Sequence, residues 1–141
     1  MVTFDRVPEA PRPMPFDIPP ALRRRAGALP QADRALLELS WSGCHLRHIA
    51  QLLGRAPGTV SRRIASLRRR LAEPIVRALL EHGAGLSDEQ RDVGLGYFLH
   101  RRSIRKLAEE HELPASEVTR ILAYVRGWAK GVQSARPMRA E

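Results

Sequence analysis

The apolar positions between residues 46 and 71 follow a helical pattern twice in succession. The first stripe has the spacing i, i+3, i+4, i+7 of one helix face and consists of Leu46, Ile49, Ala50 and Leu53. Gly54 should end this helix, because glycine adopts a left-handed conformation without a Cβ clash. A second helix should begin near Pro57, whose missing N–H would have no partner in a first turn, and its stripe consists of Val60, Ile64, Leu67 and Leu71. Two short amphipathic helices joined by such a turn predict a helix-turn-helix.

Helical spacing continues on both sides of this segment. Pro30 can start a preceding helix that closes at Trp41. Pro74 interrupts the helix before it, because proline lacks a backbone donor and clashes with the preceding turn. It can then begin a connecting helix, which Gly83 stops. Ser87 opens a new unit, since Ser87-Asp88-Glu89-Gln90 has the spacing of a capping box.

The same pattern returns with an offset of 58 residues and needs no gap. The two stripes become Ile104, Leu107, Ala108 and His111, and then Val118, Leu122, Val125 and Ala129. Arg62 and Arg68 correspond to Arg120 and Arg126. We therefore predict an all-α protein that contains a tandem helix-turn-helix, built as two three-helix units.

The N-terminal segment differs in composition from the rest of the chain. Residues 1–28 hold six of the eleven prolines, a density that favours extended or disordered chain. This arm ends in a basic cluster that either contacts phosphates or is merely solvated. The predicted organisation is a disordered Pro- and Arg-rich arm at 1–28, a first helix-turn-helix unit at 29–83, a second at 84–133 and a disordered tail at 134–141.

The charge balance points to an anionic partner. The net charge is +9, and 22 of the 24 basic residues are arginine. Nucleic acid is the first expectation and a membrane surface the second. Residues 31–80 hold nine Arg against three acids, a net +6, whereas residues 84–133 hold six Arg and two Lys against seven acids, a net +1. We expect double-stranded DNA as the partner, with the first unit supplying most of the affinity.

The segment from residue 29 to residue 71 resembles the fourth conserved region of bacterial sigma factors, especially those of the extracytoplasmic-function type. The matching residues are Leu29-Pro30, Leu36-Leu37, Gly43, Ile49-Ala50, Leu53-Gly54, Gly58-Thr59-Val60 and Arg68-Arg69-Arg70-Leu71. The resemblance implies that the helix beginning near Pro57 enters the major groove of promoter DNA. Nothing in the chain resembles the family's second region, which melts the promoter and grips the polymerase. The second unit resembles generic bacterial helix-turn-helix domains around Leu113-Pro114-Ala115-Ser116.

Position along the predicted recognition helices selects the candidate DNA contacts. Residues near the N-terminal end of the first helix should reach base edges: Pro57, Gly58, Thr59, Ser61 and Arg62. Arg62 is the best candidate for guanine, because a guanidinium fork matches O6 and N7. A further set of arginines is expected to contact phosphates and so fix the register of the protein on DNA: Arg47, Arg55, Arg63, Arg69 and Arg70. The alternative for each of them is a solvated side chain or an ion pair within the protein. The second unit offers Ser116, Glu117, Thr119 and Arg120, of which Glu117 could accept from cytosine.

The last predicted helix is apolar on two faces, and its own three-helix unit cannot cover both. Ile121, Tyr124 and Trp128 replace the more polar Arg63, Ser66 and Arg70 of the first unit. We expect these three residues to pack against the first unit or against a second copy in a homodimer. The alternative is that Trp128 only caps a small core.

The remaining chemistry is sparse. Cys44 and His48 have i, i+4 spacing and His45 lies between them, but a structural zinc site needs four ligands and no matching pair follows. We therefore expect no metal, no cofactor and no catalytic residue, since no nucleophile with a base and no phosphate-binding glycine loop is present. One cysteine, no signal peptide and no apolar run of bilayer length predict a cytoplasmic, nucleoid-associated protein without membrane contact.

These features predict a sequence-specific DNA-binding protein, a transcriptional regulator of a bacterium or phage. Two alternatives have the same fold. One is the DNA-recognition subunit of a phage or mobile-element machine, of the small terminase or transposase type. The other is a sigma-like interaction module that binds RNA polymerase.

Overall fold

The chain is helical throughout the region that the structure describes. The computed structural model describes the backbone of residues 18–139 and the side chains of residues 18–135, and no strand occurs there. Its α-helices are α1 (Pro20–Ala26), α2 (Gln31–Trp41), α3 (Leu46–Leu53), α4 (Pro57–Ala72), α5 (Pro74–His82), α6 (Asp88–Phe98), α7 (Ile104–His111) and α8 (Ala115–Arg139), with a 3-10 turn at Gly83–Gly85 after α5. The predicted all-α class is confirmed for these residues.

The boundaries of the central helices follow local signals in the sequence. Gly54 ends α3 in the left-handed conformation, at φ 66° and ψ 34°. Pro57 is the first residue of α4, and Pro74 is the first residue of α5. The capping box of α6 is complete: the Ser87 hydroxyl accepts from the Gln90 amide at 3.1 Å, and the Gln90 side chain accepts from the Ser87 amide at 2.9 Å.

The two ends of the chain are more helical than their composition suggested. Residues 20–26, which we assigned to a disordered arm, form α1 instead, because Pro20 occupies a first-turn position where proline is favoured. Arg23 of this helix lies 5.5 Å from the centroid of the Trp41 ring. At the other end α8 continues to Arg139, past the expected boundary at 133. Residues 1–17 of the expected arm and 140–141 of the expected tail lie outside the described residues.

The chain divides into two compact units, Met1–Ala65 and Ser66–Glu141, so that the division falls within α4. The first unit has a small apolar core from α1 to the start of α4, consisting of Ala26, Leu29, Leu36, Leu37, Trp41, Ile49, Ala50, Val60 and Ile64. The three buried side chains of α2, Leu36, Leu37 and Trp41, lie on one face of the helix.

The second unit is built on α8. Its core consists of Leu79, Leu86, Val93, Leu107, Val118, Ile121, Leu122 and Val125. Helices α5, α6 and α7 all pack against α8. The compact units therefore divide earlier than the boundary at residue 83 that we expected, because α5 contributes Leu79 to the core around α8.

The backbone repeats with the 58-residue offset of the sequence pattern. Helices α3 and α7 are both eight residues long and begin 58 residues apart, as do the starts of α4 and α8. Each described residue with a positive φ also has a counterpart at that offset: Gly43 (92°) with Arg101 (58°), and Gly54 (66°) with Glu112 (56°). The two turns thus have the same handedness in both copies, although only the first copy uses glycine.

Two glycines allow α6 to approach its neighbours closely. A Cβ on Gly96 would lie 2.6 Å from Leu107 Cδ2, and Leu107 is fully buried. A Cβ on Gly94 would lie 3.2 Å from Leu79 and 3.4 Å from Val125. The absence of side chains at these two positions is therefore part of the packing between α6 and the other helices of the second unit.

Substitution of Gly96 by Ala should destabilise the second unit, despite the higher helix propensity of alanine. The matched control is Gly127→Ala on α8, where no described atom lies within 4 Å of an added Cβ. Gly127→Ala should raise the free energy of unfolding by about 1 kcal/mol through helix propensity alone. Gly96→Ala should be less stable than this control by about 2 kcal/mol, because the added methyl overpacks the core. Urea unfolding followed by circular dichroism measures the difference, and equal stability of the two variants would contradict the packing argument.

Candidate nucleic-acid interface

The start of α4 presents the predicted base-contacting residues to solvent. Val60 and Ile64 are buried, and the helical period then turns the intervening positions outward. All five candidates are exposed: Pro57, Gly58, Thr59, Ser61 and Arg62. The structure therefore gathers these residues on one accessible end of a helix.

Arg62 is the sixth residue of α4, and its side chain reaches back toward the first turn. Its guanidinium contacts the Thr59 hydroxyl at 3.5 Å, the outer limit of a hydrogen bond, and a Cβ on Gly58 would lie 3.5 Å from its Nη1. Arg62 forms no ion pair with any described residue. A cation in this position can donate to an anion or a base edge without first breaking a strong internal bond.

Arg63, a predicted phosphate contact, is bonded within the first unit. It donates to Asp33 of α2 through three bonds: Nε to Oδ1 at 3.2 Å, and Nη2 to Oδ1 and Oδ2 at 2.9 Å each. The Asp33 side chain is only 16% exposed. A two-pronged bond to a largely buried carboxylate fixes α4 against α2. Of the two roles open to this arginine, the geometry favours the ion pair.

The other predicted phosphate contacts divide into two groups. Arg47, Arg55 and Arg69 are exposed, and they form no ion pair with any described residue. Arg70 is half-buried, and its Nη1 donates to the Leu99 carbonyl at 3.4 Å. Arg70 therefore helps to hold the segment between α6 and α7, a role that its position in the sequence did not indicate.

An open cleft of about 680 Å³ lies beside the start of α4. It is lined by His45, Leu46, Arg47, His48, Gln51 and Pro57. The sequence pattern indicated His45 and His48 only as possible metal ligands. No group of three His, Cys, Asp or Glu side chains suited to a metal occurs in the described region. His48 and Gln51 were therefore missed as neighbours of Pro57. Gln51 could have been found from the sequence, because it follows the predicted phosphate contact Arg47 by four residues on the polar face of α3.

The second unit presents its candidates differently. Ser116, Thr119 and Arg120 are exposed, and Glu117 is half-buried. Arg120 forms an ion pair with Glu117 at 3.3 Å. The Thr119 hydroxyl donates to the Ala115 carbonyl one turn earlier at 3.1 Å. Three of the four candidates are thus engaged in local interactions.

The three residues expected at an interface do not share one surface. Ile121 is 6% exposed and belongs to the core of the second unit, and Trp128 packs against that core. Helix α5 packs on α8 as a fourth helix, and it lies within residues 29–83, the range that the sequence pattern assigned to the first unit. Tyr124 is 55% exposed and is the member of the three that could meet another chain.

Comparison of the chain with models of protein families, with curated proteins and with solved structures finds no significant match. Within residues 18–139, no helix has both the length and the apolar character that crossing a membrane requires.

The Arg63–Asp33 pair should contribute more to stability than an ordinary surface pair. We expect a double-mutant cycle of Arg63→Ala and Asp33→Ala to give a coupling energy of about 1 kcal/mol or more, because Asp33 is largely buried and both its oxygens are bonded. Arg105 and Glu109 are a matched control, since both are exposed and separated by 3.8 Å, and their coupling should be about 0.3 kcal/mol. Denaturant unfolding measures both cycles. Equal coupling would remove the special role of Arg63.

Trp128→Ala and Tyr124→Ala should differ in their effect on the free energy of unfolding. Trp128→Ala should lower the free energy of unfolding by about 2–3 kcal/mol, because it removes a large side chain that packs on the core. Tyr124→Ala should change it by less than about 0.5 kcal/mol, as is usual for exposed positions. Thermal unfolding measures both. Sedimentation of Tyr124→Ala then tests self-association on a chain whose stability is unchanged. A large loss of stability in this variant would contradict the exposed position of the Tyr124 side chain.

Proposed function

We propose that the protein is a sequence-specific double-stranded-DNA-binding regulator of transcription in a bacterium or phage. In this proposal α3 and α4 form a helix-turn-helix, and the start of α4 enters the major groove. Helices α7 and α8 form a second helix-turn-helix, which makes the chain a tandem repeat. No catalytic group and no cofactor takes part.

The observation that carries the proposal is the exposed, unneutralised arginine surface of α3 and α4. Residues 46–72 contain seven arginines and no acidic residue. Five of these arginines form no ion pair with a described residue: Arg47, Arg55, Arg62, Arg68 and Arg69. Of these, Arg55 and Arg62 lie near the start of α4, where unpaired guanidinium groups are suited to phosphates and guanine edges.

The position of the acidic residues supports the same function. The two acids of α2 both face arginine side chains: Asp33 is bonded to Arg63 and Glu38 lies 3.6 Å from Arg23. Each carboxylate therefore has a cation beside it, which offsets its repulsion of an approaching phosphate. A polyanion would therefore meet an excess of positive charge at α3 and α4.

The turn between α3 and α4 and the resemblance to sigma-factor region four favour DNA over other anions. The left-handed Gly54 followed by Pro57 at the helix start gives a tight turn between an eight-residue helix and a longer one. In a helix-turn-helix the N-terminal residues of the second helix contact base edges. Thr59, Ser61 and Arg62 occupy these positions here, and all three are exposed.

DNA binding should weaken steeply with salt. With about four to six phosphates engaged, a plot of log Kd against log salt concentration should have a slope of about 4 to 5, because each neutralised phosphate releases counterions. Duplexes enriched from a random library serve as the ligand, and fluorescence anisotropy gives Kd at each salt concentration. A slope near zero would contradict the proposal.

Arg62→Ala should weaken binding to the enriched duplex by about tenfold and relax the preference at one base pair, because a bidentate contact with guanine is lost. Lys130→Ala is the matched control, since it removes the same charge from an exposed position on α8. This control should keep the sequence preference of the parent. If Arg62→Ala selected its target as cleanly as the parent, α4 would not be the reading helix.

A further inference from the structure

The two copies of the repeat differ in charge although their backbones correspond. Residues 46–72 hold seven basic residues and no acid, a net +7. The equivalent residues 104–130 hold five basic residues and four acids, a net +1. Part of the difference arises where Glu109 and Glu117 replace Gln51 and Thr59 beside an arginine, and these two positions can be compared in turn.

The first comparison concerns the starts of the two long helices. Thr59 is the third residue of α4, and Glu117 is the third residue of α8. Three residues later, Arg62 and Arg120 correspond in the same way. Among the described residues Arg62 is bonded only to the Thr59 hydroxyl, at 3.5 Å, whereas Arg120 forms an ion pair with Glu117 at 3.3 Å.

The second comparison concerns the shorter helices. Arg47 and Gln51 of α3 are four residues apart, and their counterparts on α7 are Arg105 and Glu109. Arg105 lies 3.8 Å from the Glu109 carboxylate, whereas Arg47 forms no ion pair with a described residue. In both comparisons the first copy sets a neutral polar side chain beside the arginine, and the second copy sets a carboxylate there.

The strength of these ion pairs is not what distinguishes the copies. Exposed pairs are weak and a phosphate could displace them, and the Arg120 side chain is 78% exposed. The carboxylates nevertheless stay beside the arginines and cancel their charge. A phosphate approaching Arg120 or Arg105 would release fewer counterions and would be repelled by Glu117 or Glu109.

We propose that the residue at the third position of the long helix decides which copy of the repeat engages DNA. Thr59 leaves Arg62 available to DNA, and Glu117 makes the corresponding end of α8 unfavourable for it, with Gln51 and Glu109 acting in the same sense on the shorter helices. The first copy is then the DNA reader, and the second copy has the same backbone without DNA affinity of its own. This inference rests on the proposed function.

Exchange of the residues between the copies tests the inference in the full chain. Thr59→Glu should raise Kd for a mixed-sequence duplex by about tenfold or more and lower the salt slope by about 1, because it cancels one phosphate-binding cation. Thr59→Gln is the matched control, since glutamine has the size of glutamate without its charge, and Thr59→Glu should bind at least about tenfold more weakly than Thr59→Gln. Glutamate at a helix start is compatible with the helix dipole, so the fold should be kept. Circular dichroism checks this.

The converse exchange should create binding in the second copy. Glu117→Thr combined with Glu109→Gln should lower Kd by about tenfold and steepen the salt slope by about 1 or more, because Arg120 and Arg105 become available to phosphates. Adding Arg120→Ala to this double variant should reverse most of the gain. The same Arg120→Ala change in the parent should leave Kd within about twofold.

The outcomes separate the inference from the function on which it rests. A parent chain that does not bind the duplex at all overturns the proposed function and this inference with it. A parent that binds, and whose affinity falls as much with Arg120→Ala as with Arg62→Ala, overturns the inference alone. The inference alone is also overturned if the Kd of Thr59→Glu and the Kd of the Glu117→Thr, Glu109→Gln double variant both stay within about twofold of the parent.

Discussion

The burial of Val60 and Ile64 in the first unit sets the orientation of α4, and the candidate interface depends on that orientation. With 3.6 residues per turn, two buried side chains four residues apart leave Thr59, Ser61 and Arg62 on the outer face. A rotation of the helix by one residue, about 100°, would take Val60 and Ile64 out of the core and carry polar side chains into their place. The bond between Arg63 and Asp33 opposes such a rotation from the flank of the helix.

The two copies of the repeat hold their long helices by different chemistry at the same position. Arg63 corresponds to Ile121. The first is bonded to a largely buried carboxylate of α2, whereas the second is buried in an apolar core. The ion pair holds α4 to α2 and leaves the apolar core small. Apolar burial allows a fourth helix, α5, to take part in the core of the second unit.

Much of the local structure could be predicted from the sequence, because local signals determine it. Gly54, Pro57, Pro74 and the capping box at Ser87 each act through the backbone of their own turn, and each marks a helix end as expected. The exposure of the five residues near Pro57 followed from the period of the apolar stripe in the same way.

What could not be predicted depends on residues distant in the chain. The partner of Arg63 is 30 residues away, and that of Arg70 is 29 residues away. Helix α5 packs on α8, whereas the helical pattern placed residues 74–82 with the first unit. Helix α1 was missed because the high proline content of its surroundings concealed a proline pair at a helix start.

The left-handed residues in the turns place a different conformational cost on the two copies. Gly43 and Gly54 reach positive φ without strain. Arg101 and Glu112 reach it only at a cost of about 1–2 kcal/mol each. Such residues persist where surrounding contacts hold them: Arg101 lies 3.4 Å from Glu73, and a bond from the Leu113 amide to the Ala108 carbonyl closes the turn at Glu112. The turns of the second copy therefore carry a conformational cost that those of the first do not.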